Sequence, residues 1–251
     1  MKDDDNTKLI YGIHTCNAQI KINPEAIRKI YVKKPPYNQH IKNLISLINI
    51  KKVNLIEVEK DFLSTITLSS KHQGIALEIK ESSQSGFDLD LYLQTEKLPF
   101  IVIFDSIQDP RNLGSCIRTA NAAGVNLIVK RKSNSCEISP LVHKTASGGL
   151  QGLALYETNN LISIVKKLKN SNIKVIGTAD DAKNDIYDFP APPSGVAIIL
   201  GSEGEGMSNS LLSLCDDICR IPIYGTVECL NVAVATGIAL YQLKNIIKKI
   251  K

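Results

Sequence analysis

The amino-acid sequence has no long hydrophobic run and no CxxC pair of cysteines. No apolar segment approaches the roughly 20 residues of a membrane-spanning helix, so no membrane contact is expected. None of the six cysteines belongs to a CxxC pair, and Cys215 and Cys219 have no matching His or Cys pair nearby. A metal site is therefore not expected. The first residues, MKDDDNTK, are acidic where a signal peptide is positively charged, which favours a cytoplasmic protein with free thiols.

The sequence also lacks the glycine patterns of nucleotide-binding proteins. Neither GxGxxG nor a phosphate loop ending in GK[ST] is present, so an enzyme of the Rossmann type is a weak alternative. The composition is that of a globular protein, with 43% hydrophobic and 22% charged residues among 251. The net charge of +5 suits a polyanionic partner, although a soluble basic surface alone gives a surplus of this size.

The order of apolar segments predicts an α/β protein with two domains. A helix at Asn38–Ile50 and strands at Val53–Val58 and Gly74–Ile79 indicate a small N-terminal α/β domain over residues 7–82, after a polar start at 1–8. A Ser-rich polar stretch begins at Glu81, and we predict a linker at 83–97.

Residues 98–251 alternate between buried strands and helices, which predicts a parallel sheet covered on both faces. The predicted strands are Pro99–Phe104, Asn126–Val129, Lys174–Ala179, Val196–Leu200 and Cys219–Ile223. The predicted helices lie at about residues 112–123, 160–171 and 231–250.

Three segments that follow predicted strands combine glycine or small residues with polar side chains. In the first, Asn112 stands where a helix N-cap is expected, and Arg118 follows six residues later within the helix. Arg118 is either one half of a structural ion pair or a group that binds phosphate or stabilises an oxyanion. Ligands of open α/β sheets lie beyond the carboxyl ends of the strands, so these segments are candidates for one site.

The second segment, residues 201–207, has three glycines that let its backbone approach a ligand closely. Its carboxylates, Glu203 and Glu205, would repel a pyrophosphate and suit a cationic or neutral ligand better. A plain glycine turn with solvated Glu residues is the alternative. In the third segment, Asn231 opens a helix of small and apolar residues that can pack very closely, and Asn231 itself can be a simple N-cap.

The three segments together resemble the SpoU (TrmH) family of RNA 2′-O-methyltransferases. The matching patterns are N-x(5)-R-T-A at 112–120, G-x-E-G-x-G-M at 201–207 and I-P-I-x-G-x-V-x-x-L-N-V-x-V-A at 221–235. The chain is most similar to the bacterial subgroup that acts on guanosine of 23S ribosomal RNA. Tyr11-Gly-Ile-His and His72-Gln-Gly-Ile-Ala resemble the RNA-binding domain of that subgroup.

The resemblance implies a deep trefoil knot in the C-terminal domain, S-adenosylmethionine as cofactor, a ribosomal RNA substrate and a homodimer. The implied catalytic residues are Arg118, Asn112, Glu203 and Asn231. The implied cofactor-binding residues are Thr178, Gly201, Ile221 and Leu230. Arg118 would stabilise the ribose alkoxide, since an arginine stays protonated in proteins.

Two positions depart from the family pattern. Cys229 stands where the family usually has Ser, and Ala233 where Ser is frequent. A thiol is a weak hydrogen-bond donor, so that Ser is either dispensable or its loss weakens activity here. The motifs are also compatible with two alternatives: a transfer RNA 2′-O-methyltransferase, and an inactive RNA-binding or ribosome-assembly factor.

Overall fold

A computed structural model describes residues 7–51, 55–80, 87–190, 194–202, 204 and 206–248. The chain forms two compact units. The first unit comprises Met1–Ser83 and Ile138–Gly152, and the second comprises Gln84–Glu137 and Leu153–Lys251. In the described residues, no helix combines the length and hydrophobicity needed to cross a membrane.

The first unit contains a four-stranded mixed sheet. Its elements are β1 (Thr7–Tyr11), α1 (Ile13–Ile22), β2 (Ile27–Lys33), α2 (Gln39–Lys51), β3 (Leu55–Val58), α3 (Lys60–Thr67), β4 (Ile75–Lys80) and α6 (Pro140–Ala146). The strand order is β1-β4-β2-β3, with only the β2–β3 pair parallel. The predicted helix and both predicted strands are present, although residues 53 and 54 lie outside the described residues.

The start of the first unit differs from the prediction. Thr7 and Lys8, which belong to the predicted polar start, pair in β1 with the end of β4. Residues 1–6 of the predicted polar start lie outside the described residues. Between its sheet and helices the unit buries an aliphatic core that includes Ile10, Ile20 and Ile30. Burial of these side chains stabilises the small sheet, since each contributes about 1.5–3 kcal/mol.

The second unit contains a seven-stranded sheet in which every neighbouring pair is parallel. Its first elements are α4 (Leu89–Thr95), β5 (Phe100–Phe104), α5 (Pro110–Ala123), β6 (Leu127–Arg131), β7 (Ala154–Thr158) and α7 (Leu161–Asn170). They are followed by β8 (Lys174–Thr178), β9 (Asn184–Asp185), β10 (Val196–Leu200), α8 (Asn209–Leu212), β11 (Asp217–Arg220) and α9 (Val232–Lys248). The predicted α/β fold with a parallel sheet is confirmed.

Burial explains which strands were visible in the sequence. Every residue of β5 and β10 is buried, as expected for continuous apolar runs covered on both faces. The last predicted strand is misplaced: β11 begins at Asp217 and ends at Arg220, because Pro222 has no N–H to donate to a ladder. Strands β7 and β9 were not predicted, since β7 is only partly buried and β9 has two residues.

A helix stands where a linker was predicted. Asp88 caps the N-terminus of α4, because its carboxylate accepts hydrogen bonds from the N–H groups of Asp90 and Leu91. Leu89 is buried in the core of the second unit, and Tyr92 packs against the same core. The predicted linker at 83–97 is thus structured over much of its length, while residues 81–86 lie outside the described residues.

The strand order brings the three motif segments to one edge of the sheet. The order is β7-β6-β5-β10-β8-β11-β9, so β10 lies between β5 and β8. The strands β5, β10, β8 and β11 are neighbours and parallel, so the loops that follow them lie side by side at the carboxyl edge of the sheet. From β5 the chain adds β6 and β7 on one side of the sheet, whereas β10, β8, β11 and β9 lie on the other side. The strand order therefore reverses between β5 and β10, and open α/β sheets bind ligands at such a point.

Candidate functional site

The first motif begins with a buried carboxylate. The Asp105 backbone N–H donates to the carbonyl of Leu200 at 2.9 Å, which joins the ends of β5 and β10. The Asp105 carboxylate accepts from Arg131 Nε at 2.5 Å and from Ser106 Oγ at 3.1 Å. Ser106 has a positive φ of 64°, a conformation that non-glycine residues adopt only when their surroundings hold it. These contacts fix where the loop leaves the sheet.

The N-cap of α5 is Asp109, which corrects the expectation that Asn112 caps the helix. The Asp109 carboxylate accepts from the N–H groups of Arg111 at 2.6 Å and Asn112 at 3.1 Å. Pro110 occupies the first helical position, where a missing N–H costs nothing. Because Asp109 satisfies the helix start, the Asn112 side chain is available for a contact outside the helix.

That contact joins the first and third motifs. Asn231 Nδ2 donates to Asn112 Oδ1 at 3.0 Å, across 119 positions of sequence. Asn231 Oδ1 accepts from the N–H of Ala233 at 2.9 Å, so Asn231 also caps α9. The cap fixes which end of the Asn231 amide faces Asn112, because its oxygen is already committed to the helix. The two roles considered for Asn231 are therefore compatible.

Arg118 projects from the outer face of α5. Its neighbours Cys116, Ile117 and Ala120 are buried against the unit, whereas Arg118 is exposed. Among the residues that the structure describes, no ion pair or hydrogen bond holds its guanidinium. This position agrees with an accessible head group better than with a structural ion pair, although Glu203 lies outside the described residues.

Helices α5 and α9 pack closely through small side chains, as the third motif predicted. Thr236 Oγ1 is fully buried between them and contacts Cys116 Sγ at 3.3 Å and the carbonyl of Val232 at 2.7 Å. Gly237 faces Thr119 of the other helix, and a Cβ there would stand 3.6 Å from Thr119 Cγ2. The packing holds the start of α9, and hence Asn231, against α5.

The carboxyl end of β8 meets the second motif. The Thr178 hydroxyl donates to the carbonyl of Ile199 at 2.9 Å, and its backbone N–H points at Met207 Sδ at 3.2 Å. Burial raises the pKa of the neighbouring Cys215 thiol to about 11, so this thiol stays protonated at neutral pH. Thr178 is half-buried, with its side chain turned toward the next strand and its backbone at the edge of the sheet.

The loop that contains Gly201 requires a glycine at this position for its own packing, whereas the sequence suggested that the glycine makes room for a ligand. A Cβ at Gly201 would stand 2.3 Å from the carbonyl carbon of Gly206 and 2.5 Å from the N atom of Met207. Ser202 and Gly206 exchange two backbone hydrogen bonds of 3.2 and 3.1 Å that close the loop. The close approach is therefore made by the loop backbone, and a side chain would open the loop before it met a ligand.

The third motif combines half-buried apolar residues with an exposed loop. Ile221 and Leu230 are half-buried at the two ends of the segment, while residues 224–229 are exposed. Tyr224 is 91% exposed at the tip of this loop. Cys229, which replaces the usual Ser, is a free and exposed thiol.

Four of the predicted positions form a surface suited to a ligand without phosphates. Thr178, Gly201, Ile221 and Leu230 are all half-buried and none has an ionisable side chain. Thr178 is the last residue of β8, Gly201 directly follows β10, and Ile221 and Leu230 lie in the segment after β11. These three strands are neighbours in the sheet. A ligand here would be held by backbone groups and apolar contacts, which fits an adenine nucleoside bearing a sulfonium.

The sequence did not reveal the ion pair between Asp105 and Arg131. The two residues are 26 positions apart and meet only because β5 and β6 are parallel neighbours. Asp105 directly follows an apolar strand, and a carboxylate at that position was the available signal. Within the described residues no group of three or more potential metal ligands is found.

Comparison with known sequences supports these observations. The profile of the SpoU rRNA Methylase family matches residues 99–241. The profile for RNA 2′-O ribose methyltransferase substrate binding matches residues 9–85. Together they define an enzyme that methylates RNA. The chain belongs to the SpoU rRNA methylase family, which confirms the resemblance inferred from the three motifs.

Individual relatives match along nearly the whole chain. The 23S rRNA (guanosine-2′-O-)-methyltransferase RlmB of Vibrio vulnificus is 34% identical over 238 residues, which cover 94% of this chain and 96% of that protein. The protein of the same name from Yersinia pestis is 30% identical over 238 residues, with 94% and 96% covered.

Solved structures show the same fold. The SpoU methyltransferase AviRb from Streptomyces viridochromogenes, determined in complex with AdoMet, has a TM-score of 0.78 at 21% identity and covers 97% of this chain and 91% of its own. A structure named RNA 2′-O ribose methyltransferase has a TM-score of 0.82 at 21% identity, with 97% and 90% covered.

Proposed function

We propose that this protein methylates the ribose 2′-oxygen of a guanosine in 23S ribosomal RNA, with S-adenosylmethionine as methyl donor. The observation that carries the proposal is the hydrogen bond between Asn112 and Asn231, which joins the third motif to α5, the helix that also carries the accessible Arg118. The substrate is proposed from the names of the two relatives described above, which match over 94% of the chain. A cytoplasmic location is part of the same proposal, because the enzyme must meet ribosomal RNA.

Each catalytic residue has a role that follows from its place. A ribose hydroxyl is a poor nucleophile at neutral pH, so the site must stabilise negative charge as it develops on the 2′-oxygen. Arg118 provides a permanent positive charge with planar donors, and it stands where RNA can reach it. Asn112 and Asn231 hold each other and the start of α9, so they fix how the third motif meets the helix that carries Arg118. Glu203 completes the set by its motif position.

The cofactor is held by Thr178, Gly201, Ile221 and Leu230. S-adenosylmethionine would supply a methyl group on a cationic sulfur, which makes the methyl carbon electrophilic and the sulfur a good leaving group. The half-buried backbone at these four positions excludes water from one side of the ligand. The exposed 224–229 loop stays open to a macromolecular substrate.

The overall organisation is part of the same proposal. Residues 7–82 bind substrate RNA, residues 98–251 form the catalytic domain, and the C-terminal segment passes through a deep trefoil knot. The enzyme is a homodimer. Support for the dimer comes from α9, where Val234 and Tyr241 remain 51% and 55% exposed although the opposite side of the helix is buried. An apolar surface of this kind is normally covered by a partner.

Calorimetry and a methyl-transfer assay test the proposal together. We expect the protein to bind S-adenosylmethionine and its demethylated product, and not NAD, because the site has no phosphate-binding glycine pattern. We also expect tritium transfer from labelled cofactor to 23S ribosomal RNA. Cofactor binding with transfer RNA as the only acceptor would move the enzyme to the other substrate class. RNA binding without cofactor binding would identify an inactive assembly factor.

A further inference from the structure

A cavity in the first unit is lined by lysines, and none of the described residues that line it carries a carboxylate. It has a volume of about 570 Å³ and lies between the end of β2, the start of α3 and the turn before β4. Its lining residues are Lys33, Asn38, Lys60, Ser70, Lys71, His72, Gln73, Gly74 and Lys144. The volume lies in the range of about 300–1,000 Å³ that is typical of small-ligand sites, so one nucleotide with its phosphate fits.

One wall of the cavity is a turn in the segment His72-Gln-Gly-Ile-Ala, which resembles the RNA-binding domain of the family. Gln73 and Gly74 have positive φ angles of 59° and 85°. His72 Nδ1 accepts from the N–H of Gly74 at 3.0 Å, while its Nε2 lies 3.2 Å from Ser64 Oγ. Gln73 Oε1 accepts from the N–H of Ile13 at 2.9 Å, at the start of α1. Both ring nitrogens of His72 are thus used to hold the turn, and the wall is rigid.

The missing side chain of Gly74 admits the stem of a lysine. A Cβ at Gly74 would stand 3.0 Å from both Cγ and Cδ of Lys33, so the aliphatic part of Lys33 lies across the glycine. A lysine stem packed in this way keeps its ammonium group at the polar end of the cavity. On the opposite side, Lys144 Nζ donates to the carbonyl of Lys71 at 2.8 Å and stands over the ring of Tyr11 at 5.4 Å.

In the part of the chain that the structure describes, no ion pair joins a lysine of the cavity to an acidic side chain. Glu59, directly before Lys60 in the chain, forms an ion pair with Lys34 at 2.7 Å. Burial lowers the pKa of His72, and repulsion from Lys60 and Lys144 lowers it further, so the imidazole is neutral. Burial and repulsion from Lys71 also lower the pKa of Lys144. Cations that repel one another in this way favour an anion between them.

We propose that this basic pocket binds a backbone phosphate of the substrate RNA and so positions it on the first unit. The inference rests on the proposed function, because it takes RNA as the substrate. Phosphate is the anion that lysines hold as point charges, and contacts of this kind set register without reading sequence.

The test compares two double variants that lose the same charge. Lys60→Gln/Lys71→Gln removes two cations of the pocket. Lys21→Gln/Lys29→Gln removes two cations of the same unit that do not line it, one of them paired with Glu78. Binding of transcribed 23S ribosomal RNA is measured between 50 and 300 mM salt. Each lysine that neutralises a phosphate contributes roughly 0.7–0.9 to the slope of log affinity against log salt.

We expect the pocket variant to lose about 10- to 30-fold in RNA affinity at 0.1 M salt and about 1.5 in slope, with the control variant close to wild type. Equal losses in both variants, or an unchanged slope, would overturn the pocket. Binding of inorganic phosphate with unchanged RNA affinity would assign the cavity to a free anion and also overturn it. A wild-type protein that binds RNA through the pocket but transfers no methyl group would refute the proposed function instead.

Discussion

Arg118 is the residue on which we expect the reaction rate to depend most. Replacing it with alanine should lower turnover by roughly 10²–10⁴-fold, the range for a positioned group that handles a proton or its charge. Cofactor affinity should be unchanged, because the interaction forms mainly in the transition state. Arg118→Lys should rescue poorly, since an ammonium lacks the planar fork. Single-turnover rates and calorimetry on the same variants measure both quantities.

Lys166→Ala is the matched control for charge, because Lys166 is also an exposed cation of the second unit and has no place in the proposed site. It should leave the rate within about twofold of wild type. If Arg118→Ala instead melts at a clearly lower temperature and keeps a near-normal rate, then Arg118 serves stability and the catalytic assignment is wrong.

Asn231 has two separable roles, and two substitutions distinguish them. Asn231→Ala removes both the cap of α9 and the bond to Asn112, so it should cost about 1 kcal/mol in stability as well as turnover. Asn231→Ser keeps an N-cap but cannot reach Asn112, so stability should be nearly normal. Turnover should still fall by about 10- to 100-fold, as it does when reacting groups are slightly misplaced. Thermal melts and turnover of the two variants check this, and a fully active Asn231→Ser would contradict it.

His143 ties the stability of the first unit to pH. Burial, with a smaller contribution from the charge of Lys8, lowers its pKa to about 3. Among the described residues, neither ring nitrogen has a hydrogen-bond partner. In the unfolded chain this imidazole binds a proton near pH 6.5, whereas in the folded unit it stays neutral down to about pH 3. The folding free energy that depends on neutral His143 is therefore fully present above pH 6.5, and it is lost as the pH decreases toward 3.

Chemical denaturation at pH 7 and pH 5 measures this effect. His143 should account for a loss of about 2 kcal/mol between the two values. His143→Phe should remove that part of the loss, whereas His14→Phe, at an exposed histidine, should not. The same pH dependence in wild type and His143→Phe would show that the imidazole is solvated.

At the scale of elements, the loop after β10 has a steric requirement at Gly201. Gly201→Ala would place a Cβ 2.3 Å from Gly206, so the loop must open. Overpacking of this kind costs about 1–3 kcal/mol, and we expect cofactor affinity to fall at least tenfold. Gly225→Ala is the matched control, since a Cβ at Gly225 meets no atom within 4 Å. Calorimetric affinities that are equal in the two variants would remove this loop from the cofactor site.

The elements that sequence predicts best are those whose burial is uniform. Strands β5 and β10 are buried at every residue, so their apolar runs were unmistakable. Strand β7 is mostly half-buried and α6 has seven residues, so neither produced a clear periodicity. The N-cap of α5 was misassigned because Asn112 and Asp109 are both good caps, and only Pro110 at the first helical position favours Asp109.

The candidate site was predictable where a motif is local and obscure where it depends on pairing. Asn112 and Asn231 were identified by motif, but the hydrogen bond between them follows from the packing of α5 against α9. The Asp105–Arg131 pair requires knowledge of which strands are neighbours. The lysine pocket requires the fold of the first unit, since its residues come from four separated stretches of sequence.

The two units also show a limit of linear domain boundaries. Residues 138–152 belong to the first unit, although they lie within the predicted catalytic domain. Within that unit the Thr15 hydroxyl donates to the carbonyl of His143 at 3.1 Å, and Gln151 Nε2 donates to Gln19 Oε1 at 3.1 Å. A fragment ending near residue 82 would lose these buried partners, so it should be less stable than the complete first unit.

At the scale of the whole molecule, the exposed face of α9 predicts a dimer. Light scattering should give twice the 27.5 kDa mass of the chain at micromolar concentration. Val234→Lys/Tyr241→Lys should give a monomer, because two charges would have to be buried in the interface. Leu91→Lys, at another exposed apolar residue, should stay dimeric. A monomeric wild type that still methylates RNA would contradict the dimer.

The central claim concerns the atom that is methylated. Transcribed 23S ribosomal RNA is incubated with the purified protein and S-adenosylmethionine, and 2′-O-methyl groups are then mapped along the RNA at nucleotide resolution. We expect a new 2′-O-methyl group at one guanosine. This methyl group should be absent when the Arg118→Ala variant replaces the wild-type protein. Methylation on a base atom, or methylation of transfer RNA with 23S ribosomal RNA left unmodified, would contradict the claim.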